Sequence, residues 1–466
     1  MRALVRLGEP EEALREFERC RKVLWEASRV KPSLESERLY ERLRTDGRPT
    51  SAVRAPVASS LPSRRTTHAA LRGRGGRLRV GVLPFDATDD NNEQTLALSL
   101  SHEVAAGLAR FRWFDVITPA SLGPNLATDG QHEDANLDYV VDGTISGRGK
   151  VLQITVRLLD LAGQAQPLWR EHFDIALSQL HRLDELVTTR IVARIDPVIL
   201  HIEGQPRQRV RYGATGLLLQ AIPMTFSMER TKYEEAGRLI QQALALEPDN
   251  AMAEAWAAHW HLYYIGQGWA KDLDKATEHV MRHALRAITL DPENAEALGI
   301  YAHSVARRAY DFDRSILFFE RALRLNPSSA FNWGLSALTY CYIGEPDAAL
   351  QRLKRYRALA SPDLYFSYFK TVYTIAYTFK GDYERAVLVG RRAVQANPNF
   401  IAGYKPLIAS LGHLGRREEA EGYVRQLLTL EPTFTVEKFG RIYSIKKSSD
   451  RERYMAGLRL AGVPER

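Results

Sequence analysis

The sequence predicts a multi-domain chain. An α/β (or α+β) module is followed by an all-α superhelix of helical repeats, with a short helical segment ahead of both. Three observations carry this expectation. Six prolines, Pro248, Pro292, Pro327, Pro362, Pro398 and Pro432, recur nearly in phase, and successive positions differ by 44, 35, 35, 36 and 34. Between residues 78 and 200 the apolar pattern switches between period two and helical period. The excess charge is confined to one stretch without apolar periodicity. Residues 48–77 carry seven Arg and no acid, whereas the formal charge of the whole chain is +8.

Residues 1–47 are helical by pattern. Gly8-Glu9-Pro10 turns into a helix, and Ala13, Phe17, Cys20 and Leu24 follow at helical spacing. A second helix starts after Pro32. Residues 48–77 are rich in Pro, Ser, Gly and Arg, the composition of a flexible basic linker. In residues 78–200, Leu78–Phe85 predicts a strand, Glu93–Phe111 an amphipathic helix, and Phe114–Thr118 and Leu137–Ser146 two more strands. Leu152, Ile154, Val156 and Leu158 alternate on one face of the next strand. Gly147-Arg148-Gly149 before it reads as a hairpin turn. Trp169, Phe173 and Ile175 mark a last strand, and Leu177–Leu200 a closing helix. Residues 213–440 hold the repeats. Similar helix ends precede five of the prolines, as in Ala243-Leu244-Ala245-Leu246-Glu247-Pro248, and Pro362 falls in phase with a weaker version. A period of about 34 residues, with small residues where paired helices cross, is the tetratricopeptide (TPR) pattern. The longer first interval implies an insertion near Gln267–Leu273, and residues 441–466 a helical tail.

Three segments, residues 7–44, parts of 79–174 and the repeats of 213–440, together resemble bacterial regulatory families. LGEPEEALREFERCRKVLWEASRVKPSLESERLYERLR, residues 7–44, is similar to the end of the bacterial transcriptional activator domain. RVGVLPF, YVVDGTI, LQITVRLLD and LWREHFD, within residues 79–174, resemble the TolB amino-terminal-like domain. That domain precedes TPR repeats in bacterial regulators and in class III adenylate cyclase proteins. The resemblance implies a non-enzymatic regulator of bacterial transcription that works through TPR-mediated protein–protein interaction. The accessory region of a class III adenylate cyclase-type signalling protein, or a plain TPR scaffold, are the alternatives. The winged helix that precedes the activator domain in that family has no counterpart here, and the match begins inside the domain.

Composition and motifs narrow the function classes. With Cys20 and Cys341 alone, no disulfide framework or Cys/His zinc spacing exists, which suits a reducing, cytoplasmic setting. The longest uncharged stretch, residues 213–228, is too short for a membrane span. Outside residues 1–77 the chain carries 46 basic and 46 acidic side chains, so its folded parts lack the charged face of a DNA-binding domain. Only weak contact with DNA is expected, through Arg64, Arg65, Arg72, Arg74 and Arg77. Thr144-x4-Gly149-Lys150 is a near miss to a phosphate loop, but it lies between strands and predicts a hairpin. Asp86, Asp89 and Asp90 predict a solvated loop. His279 and His283 are one helical turn apart, yet no third ligand follows in the sequence, so no metal or cofactor is expected. No nucleophile elbow, zincin pair or kinase loop is present, and no catalytic residue is assigned. The aromatic run from Tyr365 to Tyr383 predicts packing between repeats. Counting each repeat back from its proline turns Arg307, Arg308, Asn332, Tyr342, Tyr368 and Lys405 toward the concave face. That set predicts a groove for a peptide or acidic protein partner.

Overall fold

The computed structural model describes Tyr40 and residues 78–87, 91–122, 137–161, 166–204, 213–360 and 366–466. The described residues from Leu78 onward belong to one compact unit. The expected activator-like segment, apart from Tyr40, and the basic linker with its five named arginines lie outside the described residues.

The module begins with β1 (Leu78–Val82), the short β2 (Asp86–Ala87), α1 (Asn91–Leu108), β3 (Phe114–Ile117) and α2 (Pro119–Leu122). It continues with β4 (Tyr139–Arg148), β5 (Val151–Asp160) and β6 (Gln166–Ala176). A 3-10 stretch (Leu177–Arg182) and a π turn (Asp184–Thr188) lead into α3 (Thr189–Glu203). The sheet order is β3-β1-β4-β5-β6, with β1 parallel to both neighbours and β4 to β6 antiparallel. β4 and β5 are paired from Tyr139↔Asp160 to Arg148↔Val151, which leaves Gly149 and Lys150 as the turn. Gly149 has φ +64°, the left-handed region that a two-residue hairpin turn demands. Thr144 therefore sits inside a strand, and no helix N-terminus follows Lys150 to gather phosphate. Leu152, Ile154, Val156 and Leu158 are buried, as their alternation predicts. α1 and α3 cover that face, and a Cβ on Gly107 of α1 would stand 2.6 Å from Val192 Cγ2 of α3.

The repeats are antiparallel helix pairs: α4 (Ala214–Ser227) with α5 (Arg230–Leu246), and α6 (Ala251–Gly266) with α7 (Leu273–Leu290). α8 (Ala295–Ser304), extended by a π turn to Ala309, pairs with α9 (Phe312–Leu325). Then come α10 (Ala330–Ile343) with α11 (Pro346–Leu359), α12 (Phe366–Lys380) with α13 (Tyr383–Ala396), and α14 (Ile401–His413) with α15 (Arg417–Leu430). α16 (Val436–Ile442) and α17 (Ser448–Leu460) end the chain. The prolines explain the period. A residue before proline is pushed out of the helical region. Glu247, Asp291, Asn326, Asn397 and Glu431 accordingly close their helices with φ between −133° and −143°. Two residues after Pro248, Pro292 and Pro327, the side chains of Asn250, Asn294 and Ser329 accept from the third residue on and cap the next helix. Ala236, Ala386 and Ala420 are fully buried where paired helices cross. The long interval is absorbed by longer helices, 16 and 18 residues in α6 and α7, and by the loop between them. The architecture is a TPR-type superhelix joined to a small mixed α/β sheet module. No described helix is long and apolar enough to cross a membrane.

Candidate functional site

Of the six residues expected to line an open groove, five are buried, and the end of the chain packs against four of the six, Arg307, Arg308, Tyr342 and Lys405. Tyr443 stacks beside Arg307, whose guanidinium carbon lies 4.8 Å from its ring and 4.9 Å from that of Tyr342. Ser444 Oγ donates to the Arg307 carbonyl at 2.5 Å, and the Lys446 amide donates to the Tyr342 carbonyl at 2.8 Å. Half-buried Arg308 donates to the Ile442 carbonyl at 3.3 Å. Burial, with the Arg307 charge adding, lowers Arg308 to about 10. Lys405 donates to Tyr443 Oη at 3.1 Å and pairs with Glu431 at 3.0 Å. Asn332 Nδ2 instead ties α10 to the Ala295 carbonyl of α8 at 2.8 Å. Tyr368 stacks on Phe400, with centroids 5.1 Å apart. All but Arg308 are buried. The expected C-terminal tail is helical but integral to the fold. Phe439, Tyr443 and Tyr454 stack on one another, and their apolar area is what covers the channel. Period counting along the chain does not say what stands opposite these side chains.

A cavity of about 30 Å³ remains among Tyr263, His303, Arg307, Tyr342, Tyr368 and Tyr443. Tyr263 Oη, Tyr368 Oη and Arg307 Nε make no hydrogen bond among the described residues. The space suits about one or two waters rather than a peptide. The seal depends on backbone contact between α14 and α17. A Cβ on Gly412 would stand 2.0 Å from the Gly457 carbonyl oxygen. Gly412→Ala should therefore force the helices apart and cost about 1–3 kcal/mol, with α17 loosening first. Amide hydrogen exchange checks this, and unchanged protection of residues 448–460 would refute it.

A larger cleft, of about 690 Å³, lies where the module meets the repeats. Arg112, just after α1, closes one side through a bidentate pair with Asp291 at 2.9 and 3.2 Å. The N-termini of α4, α6 and α8 border it, with Gly213, Asn250 and Asn294 in its wall. Two groups make it more than a packing gap. Glu296, in the first turn of α8, is 8% exposed and makes no hydrogen bond or ion pair among the described residues. Trp256 Nε1 on α6 is buried without an acceptor. Behind the wall, Asp196 of α3 accepts from Trp113 Nε1 at 2.9 Å. Burial pushes Asp196 up to about 7, against the pull of that indole hydrogen bond. Burial, with the Asp196 charge adding, pushes Glu296 up to about 8. A desolvated carboxyl lacking its own partner and an unsatisfied indole donor in one cleft are the marks of a binding site. Sequence reasoning assigns neither. Its one signal is Asn294-Ala295-Glu296, which places an acid in the first turn of an inner helix.

The structure places a third imidazole beside His279 and His283. The third imidazole missing from the sequence spacing comes from the neighbouring helix. His261 of α6 stacks on His279 of α7, with centroids 4.9 Å apart and planes 10° apart, and lies 5.7 Å from His283. One ligand nitrogen from each of the three lies within 4.8 Å of the others.

No family model matches the chain. A peroxisomal targeting signal receptor of Saccharomyces cerevisiae is 23% identical over 252 residues, 54% of this chain and 32% of that protein. The chain thus spans about a third of that relative's length. Among solved structures, a human IFIT1 dimer with m7Gppp-AAAA is similar at 16% identity and TM-score 0.41, covering 62% of this chain and 67% of that one. YrrB, a TPR protein with an unusual peptide-binding site, is similar at 14% identity and TM-score 0.26, covering 42% and 93%. TolB from Acinetobacter baumannii is similar at 18% identity and TM-score 0.20, covering 26% and 28%.

Proposed function

We propose that this chain is a non-enzymatic regulatory protein of bacterial transcription control. Its TPR-type repeats are the scaffold for protein or peptide partners, and the cleft at the junction with the module makes that scaffold responsive to a small ligand. The order of segments resembling an activator domain, a TolB-like module and TPR repeats supports the regulatory setting. The similarity to a receptor for a targeting signal fits a protein or peptide partner. With the inner channel filled, partner docking falls to the outer face. There Leu285, Leu317 and Leu388 stand 51%, 69% and 52% exposed on the second helices of their pairs.

The observation that carries the ligand reading is Glu296, buried in the cleft with no partner of its own. The ligand that would satisfy it bears an ammonium group for Glu296. An acceptor on the same molecule would meet Trp256 Nε1 and the three helix N-termini, whose amides favour negative charge. A ligand at 100 times its Kd stabilises the chain by about 2.7 kcal/mol. Thermal melts of the full chain against a panel of small amines and zwitterions test this. At least one should raise the wild-type Tm and leave Glu296→Gln unmoved. A panel with no effect, or one acting equally on the variant, would overturn the assignment.

DNA contact enters only through the arginine-rich segment. The intact chain should bind DNA weakly and lose binding steeply as salt rises, through Arg64, Arg65, Arg72, Arg74 and Arg77. Deleting residues 48–77 should abolish it in a mobility-shift assay. Nanomolar sequence-specific binding at physiological salt would contradict the reading.

A further inference from the structure

The geometry points to a three-histidine site for a borderline divalent metal ion such as Zn2+, built from His261, His279 and His283 on the outer flank of α6 and α7. Two lone pairs already converge. One guanidinium nitrogen of Arg282 lies 2.7 Å from His279 Nδ1 and 3.3 Å from His283 Nε2. Arginine donates only, so both ring nitrogens present lone pairs to a single cationic point. That point is where a shared metal ion would stand. Arg282 is exposed, and its long side chain has water to swing into.

The far side of His283 is prepared as metal sites require. Its Nδ1 lies 2.5 Å from Glu254 Oε2, which fixes Nε2 as the outward lone pair. Glu254 is itself held by Arg286, whose Nε lies 3.0 Å from Oε1. A buried carboxylate behind a ligating imidazole orients the ring and raises its basicity. Three imidazoles leave a fourth tetrahedral position open to water. Zinc–nitrogen bonds of about 2.0–2.1 Å bring ligand nitrogens closer than the 4.8 Å limit seen here. Closure therefore needs small rotations of His261 and His279, the two partly exposed rings. Imidazole ligands at this spacing suit Zn2+, Co2+, Ni2+ and Cu2+ and disfavour Mg2+ and Ca2+.

The probe is Co2+, followed by its d–d absorption on titration into the full-length chain, with Zn2+ competition read by calorimetry. The expected result is one equivalent of Co2+ with a low-coordinate visible spectrum, displaced by Zn2+ and not by Mg2+. His261→Ala and His279→Ala should each weaken binding by at least about 100-fold while the melting profile without metal stays near wild type. Both rings are partly exposed, so these variants retain the fold. Arg282→Ala, which removes the competing cation, should tighten binding by about tenfold. Glu254→Gln should weaken it by about 10–100-fold. Absence of binding in both wild type and Arg282→Ala would overturn the proposal. So would binding that survives His261→Ala and His279→Ala unchanged.

Discussion

Replacing Lys405 with alanine should destabilise the fold by about 3–5 kcal/mol, the cost of leaving a buried charge without its partner. Lys405 and Glu431 are 2% and 3% exposed. Their charged atoms lie 3.0 Å apart, and Lys438 reaches the other Glu431 oxygen at 2.8 Å. The ammonium also stands 4.6 Å from the centre of the Phe434 ring. Burial alone would lower the Lys405 pKa, but Tyr443 and Glu431 outweigh it and hold the lysine raised. Burial likewise works to raise Glu431, and the two lysines outweigh it and hold it lowered. Without Lys405 the carboxylate keeps only half-exposed Lys438. A urea melt reads the effect directly. The joint change Lys405→Met with Glu431→Gln should recover most of the loss, because no lone charge remains buried. An exposed groove lysine would give a change within about 0.5 kcal/mol. That smaller result would restore the open groove and remove α16 and α17 from the channel.

The contrast shows which parts of the molecule were legible in the sequence. The repeats were, because their signal is local. A proline constrains the residue before it, a cap two residues later starts the next helix, and the same device recurs down the chain. The β4–β5 hairpin was legible for the same reason, since alternation and a glycine turn lie within one short stretch. The channel was only half legible. Periodicity singled out Arg307, Tyr342 and Lys405, but the Tyr443 and Ser444 that pack against that region come a full repeat or more later in the chain. Nothing in a repeat count says that a later helix folds back. The histidine cluster failed in the same way, because His261 reaches His279 across a helix pair rather than along one helix. Glu296 carried no sequence signal of its own. An acid in a first helical turn is common on exposed surfaces, and only the junction with α3 desolvates this one.

That desolvation has a consequence in pH. Relative to Glu296→Gln, the wild-type chain should lose about 2–3 kcal/mol of stability between about pH 5.5 and pH 7.5. The sign follows from proton binding. The folded chain holds the Glu296 proton up to about pH 8, whereas the ordinary value is 4.5. Between those values the folded state carries one proton more than the unfolded state. The favourable contribution is complete below the ordinary value and is lost as pH rises toward the folded one, by about 1.4 kcal/mol per pH unit. Asp196 faces Glu296 from α3, and the cleft also holds Glu247, Asp249, and Asp291 paired to Arg112. Trp113 Nε1 donates to Asp196, and the Asp196 charge adds to burial in raising Glu296. The buried imidazoles of His259 and His303 act in the opposite sense, since burial lowers both and acidification must charge them against it. Absolute stability thus mixes both effects, and the difference between wild type and Glu296→Gln isolates the carboxyl. Denaturant melts of the two proteins at matched pH values measure it. A difference that stays flat across this range would mean that Glu296 is ionised and partnered in the folded chain. The cleft would then offer no acceptor for an ammonium ligand.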